Sequence, residues 1–404
     1  MKTLHWILLA CCAADAARAL TLDECLQTAR RDNPELRAAR AQIESAAGRA
    51  GQTRLWPNPE LEVVAEEVPI HSGGLSQSKN LVGLSQTVPF PGKKSLDARI
   101  GGKEVSAAEW EFAQREADLV RTVTTTFYRA LAAEKKLAVS GELVELSRST
   151  ATAARKRVES GAASDQEQLR AEIELDRAQV ESAAGRAELT EARKNLARLM
   201  GRASGDFEQL EGELRESIEL PELAMEELLK RHPRSRVASA NRDRAELELR
   251  RAKLEPWPDV TLGVAGGRAE GENETLMEFR VSLPLPIFDR AQGRKRETRA
   301  LAEIARYDLT ATEQELAEEL SVLQARLQAA SEQVAAYRER ILPKAEESLR
   351  LVRGGFDAGK FGFLDLVDTQ RTVAEARLAY LEKLLELNIA IADWEALAAT
   401  PSKE

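Results

Sequence analysis

The stretch RLWPNPELEVV, residues 54–64, sets Pro57 and Pro59 between a long charged, alanine-rich segment and a short alternating one. Two prolines one residue apart stop a helix, because each lacks the N–H that the next turn needs and each drives the preceding residue to extended backbone. The same device returns as KLEPWPDVTLGV, residues 253–264, with Pro256 and Pro258 at an offset of 199. Asn33-Pro34 and His232-Pro233 are also 199 apart. Pro89 and Pro91 of TVPFPGKK lie 195 before Pro284 and Pro286 of SLPLPIFDR, and Gly161 of RVESGAAS lies 198 before Gly359 of GFDAGKFG. Four landmarks in one order at a nearly constant offset make the chain an internal duplication, joined between Gly201 and Pro221.

Each copy reads as helix, strand, strand, helix. In the first, Thr21 and Glu24 have capping-box spacing and open a helix toward Leu55, interrupted at Pro34. Leu61, Val63 and Ala65 then alternate with Glu62, Val64 and Glu66, the period of a strand with one apolar face. The loop HSGGLSQSK leads to a second strand, and PFPG closes the hairpin before helix resumes at Lys93. The second copy repeats this with Val260, Leu262 and Val264, the loop GRAEGENE, and Phe279, Val281 and Leu283 alternating with Glu278, Arg280 and Ser282.

The organisation expected is therefore a leader over 1–19 and a first repeat over 20–203, with strands at about 60–68 and 80–88 and a hairpin tip near 160–164. A linker over 204–220 follows, then a second repeat over 221–398 with strands at about 260–268 and 276–285 and a tip near 357–362, and a tail over 399–404. The fold class is mainly α with a small β part.

From Lys93 to Ser160 no proline occurs, which at ~1.5 Å per residue is about 100 Å of helix. Trp110, Ala113, Ala117, Val120, Thr124, Phe127 and Leu131 step by three and four. So do Leu364, Val367, Arg371, Ala374, Leu378, Leu381, Leu385, Asn388 and Ala392 in the last helix. That 3.5 period is a packing seam and predicts left-handed winding of helices. Four strands cannot close a barrel, and an open sheet with an oily face leaves unpaired edges. The sheet must be completed by other copies, obligatorily so in lipid, where every backbone group has to be paired.

The leader carries Lys2, an apolar run from Leu4 to Ala14, and Ala17-Arg18-Ala19, a secretory signal cleaved between Ala19 and Leu20. The run is too short to span a bilayer. A rival reading takes LLAC, residues 8–11, as a lipoprotein box with Cys11 lipidated. Cleavage after Ala19 leaves Cys25 as the sole cysteine, so no internal disulfide can form.

With charged residues at 31%, aromatics at 4% and a net charge of -9, the composition is that of long helices in narrow seams and argues against nucleic acid as a partner. The basic cluster Arg294, Lys295 and Arg296 reads as a solvated helix face. His71 and His232 are far apart, His232 reading as a helix-boundary residue, and no CxxC or HExxH occurs. No phosphate loop and no nucleophile with a positioned base is present, which argues against an enzyme and against a cofactor.

These features together point to a helical tube capped by a barrel, and the sequence resembles the TolC-type outer-membrane efflux channels over essentially the whole mature chain. The matching stretches are LTLDECLQTARRDNPEL, WPNPEL, VPFPGKK, RVESGAASDQEQL, VSLPLPIFDRAQG and GFDAGKFGFLDLVDTQRTVAEARLAYLEKLLE. Within the family, PNPELEV and LPLPIFDRAQG look most like the outer-membrane component of cobalt-zinc-cadmium resistance pumps, which work with pumps of the RND class.

The resemblance implies a homotrimer in outer-membrane lipid, its helices crossing the periplasm. Three sets of four strands make one transmembrane β-barrel on a long α-helical coiled-coil barrel. It implies a passive conduit for substrate handed on by an inner-membrane RND pump through a periplasmic adaptor, heavy-metal cations in this subgroup. The tips would receive the adaptor: Gly161, Ala163 and Ser164 in the first copy, Gly359, Phe361 and Gly362 in the second. Asp365 and Asp368, three apart and so on one helix face, match aperture carboxylates of the family, and Glu167 holds the corresponding place in the first copy, near Arg170. Six carboxylates from Asp365 and Asp368 in a trimer would attract cations and oppose closure. The plain alternatives are simple turns and a solvated helix face. The chain departs from the drug-exporting relative, which has a basic residue where Phe361 stands.

Two other functions compete: a TolC-like channel for drugs or secreted polypeptides, and a periplasmic coiled-coil adaptor, against which the duplication and the four strands count. One mature cysteine, two histidines and Met200, Met225 and Met277 argue against specific metal sites along the path.

Overall fold

The structure, a computed structural model, describes residues 20–68, 70–71, 74–202, 209–218, 225–269, 272 and 274–398. Ala19, Cys11, the tail over 399–404 and the two ends of the expected linker lie outside the described residues. In chain order the elements are β1 (Leu20–Thr21), α1 (Leu22–Asp32), α2 (Pro34–Arg54), β2 (Glu60–Glu66), β3 (Lys79–Val88), α3 (Lys93–Glu159) and α4 (Asp165–Leu199). They continue as β4 (Leu210–Glu211), α5 (Met225–Arg231), α6 (Pro233–Lys253), β5 (Val260–Ala269), β6 (Glu274–Ser282), α7 (Gln292–Ala336), a π-helical turn over Tyr337–Ile341, α8 (Leu342–Asp357) and α9 (Phe363–Ala398).

All eight bracket prolines fall in the junctions. Pro57 and Pro59 lie between α2 and β2, Pro89 and Pro91 between β3 and α3, Pro256 and Pro258 between α6 and β5, and Pro284 and Pro286 between β6 and α7. β6 ends at Ser282. Pro284, two residues on, has no N–H to extend the ladder.

The residues cluster into two compact units. One gathers the described residues within 20–37, 116–218 and 318–398. Its described core includes Phe127, Leu196, Met200, Leu387 and Ile391. Here Thr21 and Glu24 form the capping box of α1, and Asn33 ends α1 while its Oδ1 accepts from the Glu35 and Leu36 N–H groups. Part of the expected linker is ordered by hydrogen bonds. β4 pairs in parallel with β1, and the buried Asn388 accepts from the Arg215 N–H at 2.9 Å and donates to its carbonyl at 3.0 Å.

Among the described residues, the other unit gathers those within 38–115 and 225–317 and holds a four-stranded antiparallel sheet in the order β2-β3-β5-β6. His232 caps α6, its Nδ1 accepting from the Arg234 N–H, with Pro233 at the first helical position as Pro34 is in α2. Asp259 accepts from the Phe90 N–H at 2.7 Å and from Lys93 at 2.9 Å. Phe90 stacks on Trp257 with centroids 5.2 Å apart, which ties the two proline brackets together. Among the described residues no helix is long and apolar enough to cross a membrane.

Candidate functional site: the hairpin tips and the strand wall

The two tips are built alike. In the first, the Gly161 N–H donates to the Val158 carbonyl at 2.9 Å and the Ala162 N–H to the Arg157 carbonyl at 2.7 Å. In the second, the Gly359 N–H donates to Phe356 at 3.0 Å and the Lys360 N–H to Gly355 at 2.7 Å. Both are Schellman caps, and both need the left-handed backbone that Gly161 (φ +74) and Gly359 (φ +70) supply without a Cβ penalty. Ser164 is then the N-cap of α4, and Gly362 directly precedes α9.

The tips meet through residues that the repeat alone does not mark. Phe363, the first residue of α9, is buried at 7% exposure in a cluster with Ala151 and Ala154 of α3 and Ala171 of α4, with Leu175, Phe356 and Val367 packed around it. Small alanines leave the space, and the ring fills it. Phe356 meets Phe363 edge to face at 6.5 Å, and the Arg157 guanidinium lies 5.4 Å over the Phe356 ring.

Arg157 also faces Glu167 at 3.8 Å. Ser164, Glu167, Arg170, Gly362, Phe363 and Asp365 line one open cleft between the tips. Asp365 accepts the Gly362 N–H at 2.8 Å, so it holds its own helix start. Asp368 is exposed one turn further on and outside that cleft. Ala163 is half-buried, and Phe361 is 44% exposed with its ring folded over Gly355. Nearby, Gln168 and Arg155 donate to Glu172 and hold its carboxyl below the usual range.

The buried stripe of α9 is one residue away from the seam expected near the tip. Phe363, Leu366, Gln370 and Val373 are buried, whereas Leu364 and Arg371 are exposed. Both stripes step by three and four, so spacing alone could not choose between them. The alanine-lined site on α3 and α4 accepts the larger ring and decides the matter.

The sheet has two faces of opposite character. Across one face the register sets Leu61, Leu84, Val264 and Phe279 level, and Val63 level with Val82 and, beyond Gly266, Met277. These seven side chains are all exposed, a continuous apolar band that in a soluble monomer would face water. Across the other face Glu62 stands level with Gly83, Ala265 and Glu278. Arg280 there reaches over two strands to donate to Glu62 at 2.8 Å, possible because Gly83, Ala265 and Gly263 leave the path clear. β3 and β5 approach so closely at Gly267 that a Cβ would sit 1.8 Å from the Asn80 carbonyl oxygen.

Apolar outside, polar inside and open at both edges, such a sheet is a sector of a membrane β-barrel that further strands must close, and with long helical hairpins in the same chain it defines an outer-membrane channel subunit of the helix-and-barrel class. The profile of the outer membrane efflux protein family matches residues 25–202 and 224–399, one match on each repeat, and the chain belongs to that family. It is an outer-membrane efflux channel that extends into the periplasm.

The chain is 30% identical over 374 residues to the cobalt-zinc-cadmium resistance protein CzcC of Cupriavidus metallidurans, spanning 91% of this chain and 87% of that one. It is 27% identical over 290 residues to the nickel-cobalt-cadmium resistance protein NccC of Alcaligenes xylosoxydans, 70% of this chain and 65% of that one. Among solved structures, the fold is like that of the transmembrane channel CusC, with a TM-score of 0.83 at 17% identity, over 94% of this chain and 92% of that one.

Proposed function

We propose that this chain is the outer-membrane conduit of a tripartite system that exports heavy-metal cations, a homotrimer fed through a periplasmic adaptor by an inner-membrane pump of the RND class. The observation that carries the substrate is the 30% identity to CzcC over nearly the whole chain, joined by the likeness to NccC. The tip residues Gly161, Ala163, Ser164, Gly359, Phe361 and Gly362 form the adaptor-contact ends of the hairpins. Their matched caps support this, since two tips of one geometry present six similar ends in a trimer.

Asp365 and Asp368 with Glu167 set the charge of the aperture. A ring of carboxylates concentrates cations and disfavours closure by mutual repulsion, while energy comes from the pump. Glu167 faces Arg157 and has its charge partly offset, which leaves the aspartates of α9 as the dominant pair.

The test is a deletion strain complemented with this chain and challenged with zinc, cobalt and cadmium. Restored tolerance is expected, and unchanged metal tolerance with new drug sensitivity overturns the substrate. In planar bilayers Asp365→Asn with Asp368→Asn, which keeps the oxygen that caps Gly362, lowers cation over anion permeability. An unchanged permeability ratio removes the aspartates from the aperture.

A further inference from the structure

β2 and β6, the open edges of the sheet, define how one copy joins the next, and the inference rests on the trimeric channel proposed above. Within a copy Glu62 stands level with Gly83, Ala265 and Glu278, so the seam is fixed by the residue of the partner's β2 that lies opposite Glu278. Faces alternate along each strand, so one copy adds an even number of residues of stagger. Threefold symmetry multiplies that stagger by three. In a twelve-stranded barrel, staggers of about two, four, six and eight residues per copy tilt the strands by about 19°, 35°, 46° and 54°. Only about four and six agree with the 35–45° tilts at which such barrels close.

We infer that the stagger is four: β6 runs antiparallel to the partner's β2 with Ser282 opposite the partner's Glu62, Val281 opposite the partner's Val63 and Glu278 opposite the partner's Glu66. This register joins five residues already in strand conformation on each edge, Glu278–Ser282 and Glu62–Glu66. A stagger of six joins only three, and it sets both Pro284 and Pro286 opposite residues of the partner's β2, where neither can donate, whereas four sets only Pro284 there, at the strand's first residue. Staggers in the opposite sense join three at most. In lipid the register with the most paired backbone prevails.

The duplication gives the same answer independently. β3 pairs with β5 inside one chain with Val88 opposite Val260. The proline brackets carry Val88 to Leu283 at an offset of 195 and Val260 to Leu61 at an offset of 199. Transferred to the seam, the register sets Leu283 opposite the partner's Leu61, which is again a stagger of four. The apolar band then continues across the joint through Val281 and the partner's Val63. Arg280 lies diagonal to the partner's Glu62 and Glu66, where it offsets the repulsion between Glu278 and the partner's Glu66.

The experiment uses the full chain in outer membranes, with Ser282→Cys and Glu62→Cys in one chain, oxidised and run on a non-reducing gel. Directly opposite strand residues are close enough for a disulfide, so a covalent trimer is expected. Val281→Cys with Val63→Cys, in the same register, is the second variant should the first assemble poorly. Ser282→Cys with Val64→Cys reads the six-residue stagger and is expected to cross-link at least several-fold less. A trimer linked only by that last pair, or by none of the pairs while native sizing shows an intact trimer, overturns the seam alone. A parent protein that is monomeric by native sizing overturns the seam and the trimeric channel together.

Discussion

Phe363 of α9 and Ala154 of α3 pack in one buried cluster, the ring from the second repeat lying in a space that the small residues of the first leave open. Removing a buried ring from such a site costs about 3–5 kcal/mol in a rigid core. Phe363→Ala is expected near the lower end, because Phe356 and Leu175 border the space and can relax into it. Phe363→Leu should lose less than half as much. Chemical unfolding of the purified protein, compared with limited proteolysis at the tips, measures both. A Phe363→Ala variant as stable as the parent would falsify the packing role.

Gly161 and Gly359 carry the left-handed backbone of the two caps. Alanine there places a Cβ against the following carbonyl at about 1–2 kcal/mol each. Space is not the obstacle, since a Cβ added at either position would meet no other side chain or distant backbone within 4 Å, so the effect is purely of backbone angle. Gly359→Asn should be milder than Gly359→Ala. Equal loss for asparagine and alanine in thermal unfolding would contradict this.

Gly267 has the opposite constraint: its backbone angle is ordinary, and the Asn80 carbonyl leaves no room. Gly267→Ala must part β3 from β5, which are held by ten registered residue pairs. Little folded trimer should reach the outer membrane, read as loss of the heat-modifiable band. Gly48→Ala in α2, with nothing within 4 Å, serves as the control and should assemble normally.

Cys25 is fully buried in α1, and burial pushes its thiol from 9.0 up to about 12. The folded state therefore favours the neutral thiol. Its stabilising effect is whole below pH 9.0 and falls away as pH rises toward about 12, because only the unfolded chain ionises in that window. Maleimide labelling of the native protein at about pH 8, below the ordinary thiol range, should be slow, with rapid labelling on unfolding. Rapid labelling of the native protein would place Cys25 at the surface.

Much of the architecture is legible in residue order because its signals are local. Proline cannot donate and fixes its own angle, so Pro57/Pro59, Pro89/Pro91, Pro256/Pro258 and Pro284/Pro286 fall where helix and strand meet. Alternation marks the strand faces, and repetition at nearly constant spacing marks the duplication. Those features by themselves mark the efflux-channel class.

What only the tertiary structure decided depends on residues far apart in the chain. The burial of Phe363 over Leu364 is set by Ala151, Ala154 and Ala171, about two hundred residues earlier, which no periodicity within α9 can reveal. The pairing of β4 with β1 and the two-way grip of Asn388 on Arg215 likewise join segments far apart in the chain. The sequence by itself determined where the chain changes from helix to strand and that its sheet needs more copies. The tertiary structure decided which side of α9 is buried at its tip end and which strand lies beside which, because packing and pairing energies belong to contacts across the chain.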